Sequence, residues 1–208
     1  MNLKHPLSAI ALALLLSAPA SAGLLFDTGT PTEDPFSDPP WTLGGGLQSL
    51  AVGFSLSNDS LLTGIEGWIG WDEGDLTLAI YSDVGNLPGS KLYSAAFHAD
   101  RDFDWDGQTN LNWLLSAGDY WVTFELDPTD PNQNFSGGMS GGAPNPMARE
   151  ALRQDAYGYD WEPISQKGLG VRISGQTNGT SVPEPMSLAL LGIGALGLIA
   201  QHRRRCSF

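Results

Sequence analysis

The sequence predicts an all-β fold, an antiparallel β-sandwich. Three observations carry that expectation. Short runs alternate apolar with small or polar residues, which puts their apolar members on one face of a strand. Turn-forming Gly, Pro, Asn, Asp and Ser separate most of these runs. A last run, Leu169, Val171 and Ile173, follows a long excursion and has the pattern of a strand that returns among the earlier ones.

The elements follow in order. Leu24 to Pro40 is rich in Thr, Asp and Pro and reads as an extended lead-in. Leu50, Val52, Phe54 and Leu56 mark a first strand. Ile65, Gly67 and Ile69 mark a second, with Trp68 on the other parity. Leu76, Leu78 and Ile80 mark a third. Asp83 to Ser90 is dense in turn residues. Leu92 to Phe97 is a fourth strand and Leu111 to Leu115 a short fifth. Tyr120, Val122, Phe124 and Leu126 form the sixth, and Leu169 to Ile173 closes as the seventh. Between the last two runs, Asp127 to Pro163 is a long excursion. It holds a Gly-rich stretch over 136–146, expected as loop, and a short helix expected over Pro146 to Asp155. A loop of that length in a compact domain is usually functional or disordered.

Composition narrows the function classes. The chain has 208 residues and a net charge of −13. Residues 23–180 read as one domain, large enough for a sizeable core. The body out to Ser181 carries 22 acidic residues against six basic ones. Such a field repels nucleic acid, so no nucleic-acid partner is expected. The only cysteine, Cys206, lies at the far end, so the body has neither thiolate catalysis nor Cys-ligated zinc.

The sharpest local pattern is Asp100, Asp102, Asp104 and Asp106 followed by Gly107. Carboxylates at alternate positions and then a glycine begin a Ca²⁺ loop of the EF-hand kind. With Asp102 first, Asp104 and Asp106 fall third and fifth, but the twelfth position is Trp113 rather than a carboxylate. The match is partial, and the alternative is an acidic turn between strands. No other cofactor is expected. Seven tryptophans are many for this length. Trp68, Trp113 and Trp121 are expected in packing. Trp71 and Trp105 stand beside acids, where a ring can stack on a sugar while polar neighbours bind its hydroxyls, or can pack into a core. His98 is the body's only histidine and has no nucleophile motif to serve. Glu66, Glu125, Glu150 and Glu162 offer carboxylates for glycoside hydrolysis, but no spacing selects a pair. The expectation is therefore a non-enzymatic protein.

Both ends carry addresses. Met1 to Ala22 has a weakly basic head (Lys4, His5), an apolar core (Ala9 to Leu16), a breaker (Pro19) and the small residues Ala20-Ser21-Ala22, the pattern of a signal peptide for Sec translocation. Residues 181–208 form the other. Met186 to Ala200 is apolar or small and would span about 22 Å as a helix. That is short of a hydrocarbon core of about 30 Å, so Gln201 and the long arginine stems would have to help. Arg203, Arg204 and Arg205 are a stop-transfer cluster that would stay cytoplasmic. The orientation implied is body outside, arginines inside.

The order Val182-Pro183-Glu184-Pro185, short Gly/Ala/Leu helix (186–200) and basic cluster (203–205) resembles the PEP-CTERM sorting signal of exported proteins of Gram-negative bacteria. The resemblance implies an exosortase partner that cuts at or near Pro183-Glu184-Pro185, transient residence in the inner membrane, and release or transfer to the cell surface. It further implies a structural or adhesive role beside exopolysaccharide in a biofilm. The alternatives are a carbohydrate- or Ca²⁺-dependent binding module carried by Trp71, Trp105 and the Asp102–Asp106 loop, and a polysaccharide hydrolase. Leu76 to Ser94 and the Ala117-Gly118-Asp119-Tyr120-Trp121-Val122 edge resemble units of exported bacterial jelly-roll-like domains, which makes the expected sandwich jelly-roll-like.

Overall fold

The computed structural model of the protein describes residues 23–33, 41–44, 48–127, 129–144, 148–165 and 167–177. They belong to one compact unit, which ends at Thr177. The signal-peptide reading and the 181–208 tail lie outside the described residues. Among the described residues no helix is long and apolar enough to cross a membrane.

The described chain is all-β, and every strand pair is antiparallel. Its strands are β1 (Gly23–Asp27), β2 (Trp41–Gly44), β3 (Ser49–Leu56), β4 (Ser60–Gly70), β5 (Gly74–Val84), β6 (Leu87–Ala99), β7 (Asp104–Leu115), β8 (Gly118–Glu125), β9 (Ser136–Met139), β10 (Arg149–Arg153), β11 (Glu162–Pro163) and β12 (Val171–Thr177). They form two six-stranded sheets. The first runs β1-β12-β4-β9-β2, with β7 on the other edge of β4. The second runs β11-β10-β3-β8-β5-β6.

Alternation explains which side chains go inward. Leu50, Val52 and Phe54 of β3, Leu76, Leu78 and Ile80 of β5, and Val122 and Phe124 of β8 face one way. Ile65 and Ile69 of β4 and Val171 and Ile173 of β12 meet them in the same buried cluster. The sheets approach so closely that a Cβ at Gly67 would lie 2.8 Å from the Phe124 ring, so only glycine fits there without displacing it. A second cluster covers the other face of the second sheet. It joins Ala51, Ala79, Tyr81, Trp121 and Ala151 beneath Trp161.

All seven expected strands are present, several longer than their apolar cores. The turn expected over Asp83 to Ser90 shrinks to two residues, Gly85 and Asn86, at φ 65° and 63°. That is the geometry of a tight hairpin whose twist matches its strands, and it lets β5 and β6 pair almost to the tip.

The excursion after β8 departs most from expectation. The Gly-rich stretch contains β9, which pairs with β2 and with Ile69–Gly70 of β4. The helix expected over Pro146 to Asp155 is instead β10, paired with β3, followed by one 3₁₀ turn at Asp155–Tyr157. A period of two wins there because both faces are used. Ala148 and Leu152 pack on the main core, and Ala151 packs in the outer cluster. The lead-in likewise contributes β1, which pairs with β12.

Glu150 ties this excursion down. It is buried, and its carboxylate accepts the backbone N–H groups of Lys167 and of Leu169, the latter at 2.8 Å. Its carbonyl accepts Ile164 N–H at 3.0 Å. We expect Glu150→Ala to lower unfolding free energy by about 2–4 kcal/mol, because it orphans two N–H donors in a buried turn. Urea unfolding followed by tryptophan fluorescence checks this.

Candidate functional site

Two surfaces hold the side chains with chemical potential, one on the outward face of each sheet. On the second sheet, the strand order brings β10, β3, β8, β5 and β6 into rows. Arg149, Gly53, Trp121 and Tyr81 share one register, and Arg149 stacks over the Trp121 ring at 5.0 Å. Asp83 accepts the Trp121 indole N–H at 2.8 Å and pairs with Arg149 at 2.5 Å. Burial pushes the Asp83 pKa up, but the Trp121, Asn86 and Arg149 donors outweigh it and hold it below the usual range.

Beside this row lies Glu125, 1 % exposed. Lys91 Nζ reaches it at 2.6 Å and Arg153 at 3.2 Å, and Tyr81 donates its hydroxyl at 3.1 Å. Arg153 also pairs with Asp155 at 2.5 Å and stacks over Trp161 at 4.7 Å. Burial lowers the Lys91 pKa, but Glu125 more than compensates and raises it. Burial raises the Tyr81 pKa, and the Glu125 charge adds to it. A groove of about 430 Å³ opens between the β5–β6 hairpin and the 160–161 segment, walled by Tyr81, Arg153, Asp160 and Trp161. Its cationic wall, Arg153, is committed to Glu125 and Asp155.

On the first sheet, the outward face carries Trp68 opposite Trp105 and Arg172 opposite Glu66. The two indoles meet edge to face at 5.4 Å, and the Arg172 guanidinium lies 3.8 Å over Trp105. Trp105 is therefore half-buried and capped by a cation, which removes that ring face from any sugar. Trp71 lies between β4 and β5, 49 % exposed, at φ 84° with its N–H bonded to Arg101 O. Glu66 stands beside this row, its pKa raised by burial and by Asp104 and Asp106 against the pull of Arg172.

The Ca²⁺ loop expected over Asp102, Asp104 and Asp106 does not form as a loop. β7 begins at Asp104, so extended backbone carries Asp104 and Asp106, and the curl an EF-hand loop needs is absent. Asp104 accepts Trp105 N–H at 2.8 Å and Asp106 accepts Asp100 N–H at 2.9 Å. Burial, joined by Asp100 and Asp104, raises the Asp106 pKa. Among the described residues no group of three or more His, Cys, Asp or Glu is placed to hold a metal ion.

His98 pairs across β5 and β6 with Asp75 at 2.7 Å, both exposed. Trp113 stacks on Tyr93 at 5.3 Å, joining the β6 and β7 edges. The sequence reading had no signal for the Glu125 network, because Lys91, Tyr81, Glu125 and Arg153 are far apart along the chain and meet only through pairing. The sorting and stop-transfer residues Val182, Pro183, Glu184, Pro185, Arg203, Arg204 and Arg205 lie outside the described residues.

Two outcomes follow from these contacts. Changing Lys91 and Arg153 together to Met should cost about 3–5 kcal/mol, because Glu125 stays buried without a cation. Glu125→Gln should cost less, about 1–2 kcal/mol, because Lys91 and Arg153 can still reach water; chemical denaturation of both variants reads the difference. For His98, the Asp75 hydrogen bond raises the pKa above 6.5. The stability it adds is full below the unfolded pKa and is lost as pH rises through the folded one. Proton NMR titration should find His98 above 6.5 in the native chain and lower in Asp75→Asn.

No curated protein matches the chain. Residues 181–205 match the PEP-CTERM protein-sorting motif, the same stretch in which Pro183-Glu184-Pro185, the apolar run and the arginines follow one another. That motif implies export to the cell envelope or surface with an exosortase as the processing partner. The chain thus carries a PEP-CTERM protein-sorting motif at residues 181–205, consistent with an exosortase substrate.

Proposed function

We propose that the protein is a non-enzymatic, adhesive or structural component of the cell surface or extracellular matrix, held beside exopolysaccharide. The sorting motif at 181–205 carries this reading. In it, Met1 to Ala22 directs Sec export, Met186 to Ala200 holds the chain briefly in the inner membrane with Arg203 to Arg205 inside, and cutting near Pro183-Glu184-Pro185 frees the body. The body is the functional payload, and its two sheets are the layers of a jelly-roll-like sandwich. Support for a non-enzymatic role comes from two of the four candidate carboxylates. Glu125 is neutralised by Lys91 and Arg153, and Glu150 caps backbone N–H groups, so neither is available to protonate or attack a substrate.

Replacing Pro183, Glu184 and Pro185 together by Ala should leave uncut chain in the membrane fraction, where the natural chain is processed and exported. Immunoblots of fractionated cells read this. Processing at the natural rate in the variant would count against the route. The adhesive role is read separately, by whether the exported protein co-sediments with the cells' extracellular polysaccharide.

A further inference from the structure

The outward face of the first sheet has a depression created by a coincidence of two register breaks. β4 pairs with β12 on one edge and β7 on the other, and both pairings slip at Thr63. On the β12 side Gly64 faces Ser174 and Leu62 faces Gly175, so Thr63 has no opposite residue. On the β7 side Gly64 faces Thr109 and Leu62 faces Trp113, so three residues bulge opposite Thr63. Asn110 begins that bulge at φ 61°, a left-handed conformation that asparagine tolerates better than most residues. Bulges re-aim side chains and recur beside functional sites.

The result is a hollow of about 530 Å³. Gly64 is its floor: a Cβ there would meet the Thr109 and Ser174 carbons only at ordinary contact distances, so the missing side chain leaves usable space. Thr63, Thr109 and Ser174 contribute hydroxyls to the wall, Glu66 a carboxylate and Asn110 an amide, with Leu111 as the apolar member. Among the described residues the Thr63, Glu66 and Ser174 side chains make no hydrogen bond, and Asn110 makes only a long one of 3.4 Å to Thr109. This differs from the groove at Tyr81 and Trp161, where Arg153 is committed to Glu125 and Asp155.

We propose that this hollow is a saccharide site that takes one neutral sugar ring of a polysaccharide by its hydroxyls, a reading that rests on the adhesive role above and supplies its ligand class. Sugar hydroxyls both donate and accept. Glu66 accepts from them, Asn110 donates and accepts, and the three protein hydroxyls do either. Leu111 offers a surface to the ring's C–H groups. The alternatives fit less well. A uronate or phosphate would meet Glu66, with Asp104 and Asp106 close enough to raise its pKa, in a chain of net charge −13. A protein partner would want an apolar, aromatic centre, and this wall has one Leu.

The test uses the full chain in mild detergent against immobilised neutral oligosaccharides of glucose, galactose and mannose, with polygalacturonate as the acidic arm. The natural chain should bind at least one neutral series and not polygalacturonate. Glu66→Gln should weaken binding by about tenfold or more, since a hydrogen bond to a charged group is lost, and Ser174→Ala by about two- to tenfold. Gly64→Val, which fills the floor with a residue suited to a strand, should abolish binding. Circular dichroism of each variant guards against misfolding, and Ser174→Ala keeps the test alive if Gly64→Val does not fold. Neutral glycan bound equally by the natural chain and all folded variants overturns the site while leaving the adhesive role standing. Binding to polygalacturonate alone, or to no glycan, overturns the ligand class, and co-sedimentation with extracellular polysaccharide then decides the adhesive role on its own.

Discussion

The structure depends on β4 being hydrogen-bonded along both edges while one of its faces is pressed against the second sheet. β12 and β9 share one edge and β7 takes the other. Ile65 and Ile69 face the core, and Gly67 between them makes room for Phe124 of β8. A residue-by-residue slip of β4 would turn Glu66 and Trp68 inward, so burial of one face fixes register over most of the strand. Only at Thr63 is that demand relaxed, and both neighbours lose register there together.

Buried carboxylates do a different job. Glu125 and Glu150 sit where apolar residues would be cheaper to desolvate, and each is matched by specific donors. Glu125 draws β5, β6, β8 and β10 together through Tyr81, Lys91 and Arg153. Glu150 closes the turn at 167–169, just before β12 begins. Such pairs add little net stability over apolar packing, but breaking one is costly, so they favour a single arrangement of a long excursion that has few large apolar side chains of its own.

The body is arranged to finish late. β12, the last described strand, lies between β1 and β4, so the first sheet is incomplete until residues 171–177 are in place. β1 and β12, the first and last described strands, pair with each other, so this pairing of wide sequence separation closes only when both are available.

The all-β class, seven strand cores, the acidic body and the sorting tail were legible in the chain's local patterns. These are local signals: alternation with a period of two, charge counts, and a motif read in order. The sequence did not determine β9, β10 or the two-residue hairpin, because Ser136-Gly137-Gly138-Met139 and Arg149 to Arg153 are strands only when β2, β4 and β3 present edges to them. Nor did it reveal that Asp104 and Asp106 would be drawn out along β7, that Arg172 would cap Trp105, or that Glu66 would stand beside a glycine-floored hollow. Those outcomes were decided by tertiary pairing. Register and bulges between strands far apart in sequence set which side chains meet, and no local pattern encodes them.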